Sequence, residues 1–359
     1  MQLTLIIPEL VWPEPDDRDT LDALPCPALN TLLARSHLTR RAAQSLEATL
    51  TDAFGLPAGA PYAAFRRLGE TVEEAALDGT IDAAGWICAD PVHLRFQQNQ
   101  LILADSGSFA ITLDEAQAIA GELNRHFPDL GRFHVAAPER WYLQLHSTAN
   151  LGDPGQFDVP PLSAVAGRRV DRQLPPTPQT AWLRQLLNEA QMVLHAHPAN
   201  AAREASGRLP INSLWLWGAG ALPPAMPRTF DEVWSDNPLA SGLGRAAGMP
   251  THAVARDAAT LFAAAAADSH HLVVLDDLLG PVQYQDGDAY RAALLALETR
   301  WFAPLRKSLA SGKLSRLRLE ASTAYGALAW ESRRADQWKL WRRAQPLATL
   351  AQNLAQGAA

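Results

Sequence analysis

Leu3 to Ile7 is an unbroken apolar run of strand length, the pattern of a strand covered on both faces. A Pro-rich acidic loop from Pro8 to Asp22 follows it. Leu29, Leu32 and Leu33 then recur at helical spacing within Ala28–Ser36, and a second helical stretch, Gln44–Phe54, stops at Gly55 and Pro57. Strand, loop and helix in this order form the first half of a βα unit. From Pro57 the period changes. Tyr62–Leu68 predicts a short helix, Ala84–Phe96 and Leu101–Asp105 a hairpin, Leu113–Phe127 an amphipathic helix, and Phe133–Ala137 with Arg140–Leu145 a second strand pair. Strands joined by short turns, with helices between, describe a small α+β domain with an antiparallel sheet. Residues 150–179 are rich in Pro, Gly and Asp without a sustained period and read as a long loop or linker.

The βα alternation then resumes. Helix Thr180–His197 leads to strand Ile211–Trp217, helix Pro238–Ala247 to strand His252–Ala255, and helix Ala258–Ala267 to strand His271–Asp276. Helix Asp288–Leu309 leads to strand Leu317–Glu320, and an apolar segment, Ala324–Glu331, precedes a C-terminal helix, Trp338–Leu354. The expected fold is α/β: a mostly parallel sheet flanked by helices, built from residues 1–56 and 176–359, with an inserted smaller α+β domain and its trailing linker over 57–175. His195 to Gly220 is the pivot of this reading. Pro198 ends the long helix, Asn200 caps a short turn over Ala201–Ser206, and Gly207 closes it. Ile211–Trp217 reads as a buried strand ending at Gly218-Ala219-Gly220. Ligands of open α/β sheets sit beyond the carboxyl ends of the strands, so this turn is the expected rim of a site, with Arg203, Arg208 and Asn212 as donors to an anion. A solvated loop is the competing reading of the two arginines.

Composition narrows the function. The chain has 31 basic and 38 acidic residues, a formal charge of −7, with both signs spread along it. That argues against a nucleic-acid surface and leaves room for a local anion pocket. The two cysteines, Cys26 and Cys88, have no CxxC partner, so neither a disulfide framework nor a zinc ribbon is indicated. No basic segment precedes the first strand and no apolar run reaches the ~20 residues of a membrane span, so a cytoplasmic protein without a membrane partner is expected. Of the 11 tryptophans, Trp215 and Trp217 alternate along one strand and read as core.

No phosphate-binding glycine fingerprint is present. Acids stand at predicted strand ends: Glu9 after the first, Asp276 and Asp277 after the fifth, Glu320 after the sixth. These are the candidate metal ligands, though no histidine joins them at Asp-x-His or Asp-His spacing. His270 and His271 sit at the amino end of their strand, the wrong end for a site. His195 and His197 fall at a helix C-terminus, where a structural role competes with ligand contact. Asp90, His93 and Arg95 form a polar strand segment in which His93 and Arg95 share a face, either towards a cleft or towards solvent.

HPANAAREASGRLPINSLWLWGAG carries a family likeness, extended by Leu3-Thr-Leu-Ile-Ile-Pro, Pro27-Ala-Leu-Asn-Thr-Leu-Leu, Phe54-Gly-Leu-Pro, the piece from Gly59 to Glu70, and Asp286-Gly-Asp. The chain resembles the archaeal-type, cofactor-independent phosphoglycerate mutases of the alkaline phosphatase superfamily. The resemblance implies an alkaline phosphatase-like core with an inserted domain. It also implies transfer of a phosphoryl group between the 2- and 3-positions of glycerate through a phosphoserine and two divalent metals. His197, Asn200, Arg203 and Asn212 match the family's cleft. Elsewhere the match fails. Glu9 stands for an aspartate, Ser45 with Glu47 is displaced from the nucleophile position by about one residue, and Trp217 replaces an arginine. The metal-binding positions fall on Pro281, Gln285, Glu320, Ala321 and Arg333. Proline and arginine do not ligate metals, and a serine without metals is a poor nucleophile.

The expectation is therefore a phosphoglycerate mutase-like protein, catalytically inactive, that binds a small anionic or phosphorylated metabolite and has a regulatory role. Its ligand residues would be His197, Asn200, Arg203, Arg208, Asn212, Asp90, His93 and Arg95, with no cofactor. One alternative is an active phosphomutase or phosphohydrolase with a rebuilt site on Glu9, Ser45, Asp276 and Asp277, using Mn or Zn. The other is a protein-interaction scaffold or homodimer built on Trp330, Trp338 and Trp341.

Overall fold

The computed structural model of the protein describes residues 1–57, 59–70, 85–97, 100–146, 159–170, 181–266 and 268–357. The chain forms two compact units, one of Met1–Gly55 with Pro227–Ala359, the other of Leu56–Met226. Among the described residues the strands run in chain order as β1 Gln2–Ile6, β2 His37–Arg41, β3 Trp86–Gln97, β4 Gln100–Ala104, β5 Gly131–Ala137, β6 Arg140–Leu145, β7 Ser213–Gly220, β8 Glu232–Trp234, β9 Thr251–His252, β10 His270–Val274, β11 Arg316–Thr323 and β12 Gly326–Arg333.

The first unit is built on a sheet of seven strands in the order β2-β12-β11-β1-β10-β8-β9. β11, β1, β10, β8 and β9 are parallel, while β12 and β2 add an antiparallel edge. The register pairs Ile6 of β1 with both Val274 and Glu320. Leu3 and Leu5 belong to one apolar core, yet Thr4 and Ile6, which point to the opposite face, are also buried. Both faces are therefore covered, as the unbroken apolar run of β1 requires. Helix Leu46–Ala53 packs on β11 and helix Pro238–Ala246 on β8. The core on the other face includes Leu29 and Leu32 of helix Pro27–Arg35, Leu294 of helix Gly287–Leu297, and Leu347 and Leu354 of helix Leu347–Ala355.

Several expected elements change. Leu317–Glu320 is longer, because β11 continues to Thr323, so Glu320 lies within a strand rather than at its end. Ala324–Glu331 becomes β12, hairpinned back on β11, and β2 fills the segment between the two N-terminal helices. The C-terminal helix covers only Leu347–Ala355, after a short 3₁₀ turn at Arg334–Trp338.

The second unit carries an antiparallel sheet in the order β4-β3-β6-β5, with β7 paired to β3. β3 is long enough to pair β6 through Trp86–Cys88, β7 through Trp86–Val92, and β4 through His93–Gln97. Trp141, Tyr142, Trp215 and Trp217 fill its core with Leu183 and Leu194 of helix Ala181–Ala196. The second unit therefore extends to Met226, and the return to the first unit comes at Pro227 rather than at 176. The reason is a long-range pairing that local periodicity does not contain: the strand expected at Ile211–Trp217 forms over Ser213–Gly220 as β7, an antiparallel partner of β3, not a parallel strand of the first sheet. Residues 98–99 of the expected hairpin turn, the start of its first strand at Ala84 and most of the 150–179 loop lie outside the described residues; within the loop, Leu162–Val165 forms a short helix.

Candidate functional site

Because β1, β8, β10 and β11 are parallel, the segments that follow them emerge at one edge of the first sheet. Leu275 N–H donates to Ile6 O at 2.9 Å, Ile7 N–H to Glu320 O at 2.8 Å and Glu9 N–H to Ser322 O at 2.8 Å, which fixes the strand ends against one another. Glu9 turns the chain with φ +56°, a left-handed conformation uncommon for a residue with a side chain. Beyond β8, Ser235 Oγ accepts from Asn237 N–H at 3.0 Å, and Asn237 Oδ1 caps helix Pro238–Ala246 by accepting from Leu239 N–H at 3.0 Å. Asn237 also hydrogen-bonds Asp276, and Asp236 accepts from Val254 N–H at 3.1 Å. Burial pushes the Asp276 carboxyl above its usual range; the bond to Asn237 opposes this, and the charges of Asp277 and Asp236 add to it.

This edge brings Asp236, Asn237, Asp276 and Asp277 together, but the proposed ligand set does not close into a cage. Asp277 lies 3.1 Å from Arg300, and Glu320 pairs with Arg318 along its own strand. Among the described residues no group of three or more His, Cys, Asp or Glu stands where it could hold a metal ion. The side chains present do not fit the two divalent ions that the resemblance implies. Ser45 is the N-cap of helix Leu46–Ala53, its Oγ accepting from Ala48 N–H at 3.1 Å. Asp286, of the Asp-Gly-Asp piece, caps helix Gly287–Leu297 in the same way, accepting from Ala289 N–H at 2.9 Å. Tyr325 donates to Trp12 O at 2.8 Å, and burial, with Asp16, Glu14 and Glu9 adding to it, pushes its phenol up to about 12.

The other predicted site residues all lie in the second unit. Except for the exposed Arg95, their polar groups are engaged by the protein. Asn200 Nδ2 donates to Leu194 O and Ile211 O at 2.8 and 2.7 Å, while its Oδ1 accepts from Ile211 N–H at 2.8 Å. Arg203 is fully buried and donates to Leu209 O, Ala110 O and Glu115 at 2.7, 3.0 and 2.8 Å. Arg208 pairs with the other oxygen of Glu115 at 2.8 Å, and Glu115 completes a capping box with Thr112. His197 Nδ1 accepts from Ala199 N–H at 3.1 Å, and Asn212 bridges Leu94 N–H and O at 2.7 and 2.8 Å. These residues tie helix, loop and sheet together.

Asp90, His93 and Arg95 separate in the same way. Asp90 is fully buried, gripped by Arg66 through two bonds of 2.7 and 2.9 Å and by Trp217 Nε1–H at 2.8 Å. Asp90 and the cation–π faces of Tyr142 and Trp217 hold the Arg66 charge in the core. His93 Nδ1 lies 2.8 Å from Pro210 O, and Arg95 is exposed. Gly218 and Gly220 are not a ligand loop. A Cβ at Gly218 (φ +66°) would stand 2.8 Å from Tyr62 Cβ, and one at Gly220 would stand 2.7 Å from Pro61 Cβ, so these glycines let helix Tyr62–Gly69 lie close on β7. Sequence reading missed Arg66 and Glu70; the latter accepts from Tyr142 Oη–H at 2.6 Å and Arg140 at 2.9 and 3.1 Å. Their signal was two charges on an amphipathic helix next to a charged strand residue, too common to single out. His271 is buried beside Trp234 Nε1. Of the tryptophans assigned to an interaction surface, Trp330 is buried, whereas Trp338 and Trp341 are 71% and 76% exposed.

No protein-family model matches the chain. It is similar to a 2,3-bisphosphoglycerate-independent phosphoglycerate mutase of Methanosarcina mazei, 25% identical over 222 residues that cover 58% of this chain and 51% of that protein. The same enzyme of Methanosarcina barkeri is 30% identical over 107 residues, covering 28% of this chain and 26% of the relative. A probable enzyme of this name from Geobacter sulfurreducens is 38% identical over 72 residues, covering 20% and 18%. The matched stretches thus span about half the length of these curated relatives, or less. Among solved structures, the PH0037 protein of Pyrococcus horikoshii shares the fold, with a TM-score of 0.51 at 15% identity over 92% of this chain and 87% of that one. By these sequence matches and the motifs that carry them, the chain is similar, as a divergent relative, to the cofactor-independent phosphoglycerate mutases.

Proposed function

We propose that this protein keeps the scaffold of a phosphoglycerate mutase without its phosphoryl-transfer chemistry, and that it works by binding a small anionic ligand rather than by turning one over. The arrangement of the strand-end acids carries this reading. Glu320 pairs with Arg318, Asp277 with Arg300, and Asp276 is hydrogen-bonded by Asn237, so these carboxylates are engaged by the protein's own guanidinium and amide groups. A divalent ion there would meet positive charge before it met a set of ligands. Ser45 Oγ is engaged as a helix cap, accepting from Ala48 N–H at 3.1 Å.

Elemental analysis of purified protein after loading with manganese and zinc, with an assay of 2- and 3-phosphoglycerate interconversion, tests this. The expected outcome is no retained stoichiometric metal and no turnover. Two tightly held ions per chain with activity lost in Ser45→Ala would sink the reading. They would favour instead a rebuilt active site on Glu9, Ser45, Asp276 and Asp277, for which the raised pKa of Asp276 is the supporting observation.

A further inference from the structure

Away from the strand-end acids, the first unit contains a pocket of about 480 Å³ framed by helix Pro27–Arg35, the start of β2, β12 and helix Leu347–Ala355. Its size falls in the range of small-molecule sites, roughly 300–1,000 Å³. Leu33, Trp330 and Leu350 provide an apolar wall, and the indole of Trp330, buried as part of the core, gives that wall a fixed shape. The polar lining is one-sided in charge: it contains Arg342, Arg343 and His37 and no aspartate or glutamate.

The two arginines differ in what they do. Arg342 donates to Ser36 O at 2.9 Å, which holds the loop before the last helix against the end of helix Pro27–Arg35. Arg343 makes no hydrogen bond or ion pair among the described residues, so its five donors are available at the mouth. Asn30 also lines the pocket, and its Oδ1 is buried and accepts no hydrogen bond. A buried amide oxygen in that state costs about 1–3 kcal/mol relative to one that is satisfied, and a donor brought by a ligand would recover it.

From these observations we infer that this pocket is a binding site for a small organic oxyanion, a carboxylate or a phosphate ester on an apolar body that also carries a hydroxyl or N–H donor. The apolar wall takes the body, Arg343 takes the oxyanion in a two-pronged contact, and Asn30 accepts from the donor. An organic cation has no counter-charge here, and a bare inorganic anion leaves the wall uncovered. The site does not depend on whether the strand-end acids turn over substrate.

Isothermal titration of the full chain with 4-hydroxyphenylacetate and with 4-hydroxyphenyl phosphate, against tyramine and inorganic phosphate, distinguishes the sources of the anion. At least one organic anion should bind with a dissociation constant in the millimolar range or tighter. Tyramine and inorganic phosphate should bind about tenfold more weakly or not at all. Arg343→Gln should weaken the organic anion about tenfold, and Arg343→Glu should abolish its binding, with far-UV circular dichroism and ligand-free melting unchanged because the side chain is exposed. Three results would each overturn the assignment: no heat from either organic anion at concentrations of about 10 mM, tyramine or inorganic phosphate binding equally well, or full affinity in Arg343→Glu.

Discussion

His134 shows how far burial alone can move a group on this scaffold. Its imidazole lies 3.1 Å from Gln144 Oε1 and 5.4 Å from the Trp86 ring. Burial pulls its pKa down to about 4; the contact with Gln144 opposes this, and Arg132 and Arg67 add to it. The unfolded chain takes up the proton near ~6.5, so folding is fully favoured above that pH, loses stability as pH falls towards 4, and levels off below. The loss is roughly 2 kcal/mol after allowance for solvent screening. Urea midpoints measured from pH 7 to 4 should decline over that window, and His134→Gln should flatten this part of the decline. A residue's type says that it can titrate or bind; only its neighbours say whether it is spent. Asp90 and Arg203 were legible as charges in a functional-looking motif, and both turn out to be committed to protein partners.

At the scale of elements, helix Leu113–His126 is where its apolar period put it, and Thr112 and Glu115 close its N-terminus in a capping box. Local period fixes such a helix because the residues that share its buried face are three and four apart. Strand β7 was equally legible as a strand, but its partner was not. The Gly-Ala-Gly piece at its end is a packing feature, and substitution separates packing from mere turn geometry. Gly218→Ala pays both for a left-handed backbone and for a Cβ driven against Tyr62, a loss of roughly 2–4 kcal/mol. Gly207→Ala, at φ +71° with nothing within 4 Å, pays only the backbone share, about 1 kcal/mol. Comparison of the two urea midpoints checks the difference; equal losses would remove the close approach of helix Tyr62–Gly69 as the reason for Gly218.

At the scale of the whole chain, the second unit owns a complete sheet and core. Asp90, Arg66 and Trp217 interlock β3, helix Tyr62–Gly69 and β7, and removal of β7 would strip β3 of one partner and leave Asp90 and Arg66 buried with fewer contacts. A fragment of residues 56–226 is therefore expected to fold cooperatively by near-UV circular dichroism and urea titration. A fragment of residues 57–175, the domain that the sequence pattern marked out, is expected to lack a cooperative transition.

Sequence alone determined that there would be a mostly parallel sheet flanked by helices, a smaller antiparallel α+β unit, and motifs of the phosphoglycerate mutase family, because local period and local motif are written in neighbouring residues. Tertiary structure decided three other matters. It assigned the strand expected at Ile211–Trp217 to β3 across more than a hundred residues of chain, since strand pairing is a long-range choice. It showed which polar side chains of the motif are consumed by the protein's own backbone and carboxylates. And it assembled the basic, acid-free pocket around Trp330 from an N-terminal helix, an edge strand and a C-terminal helix, which no stretch of sequence holds together.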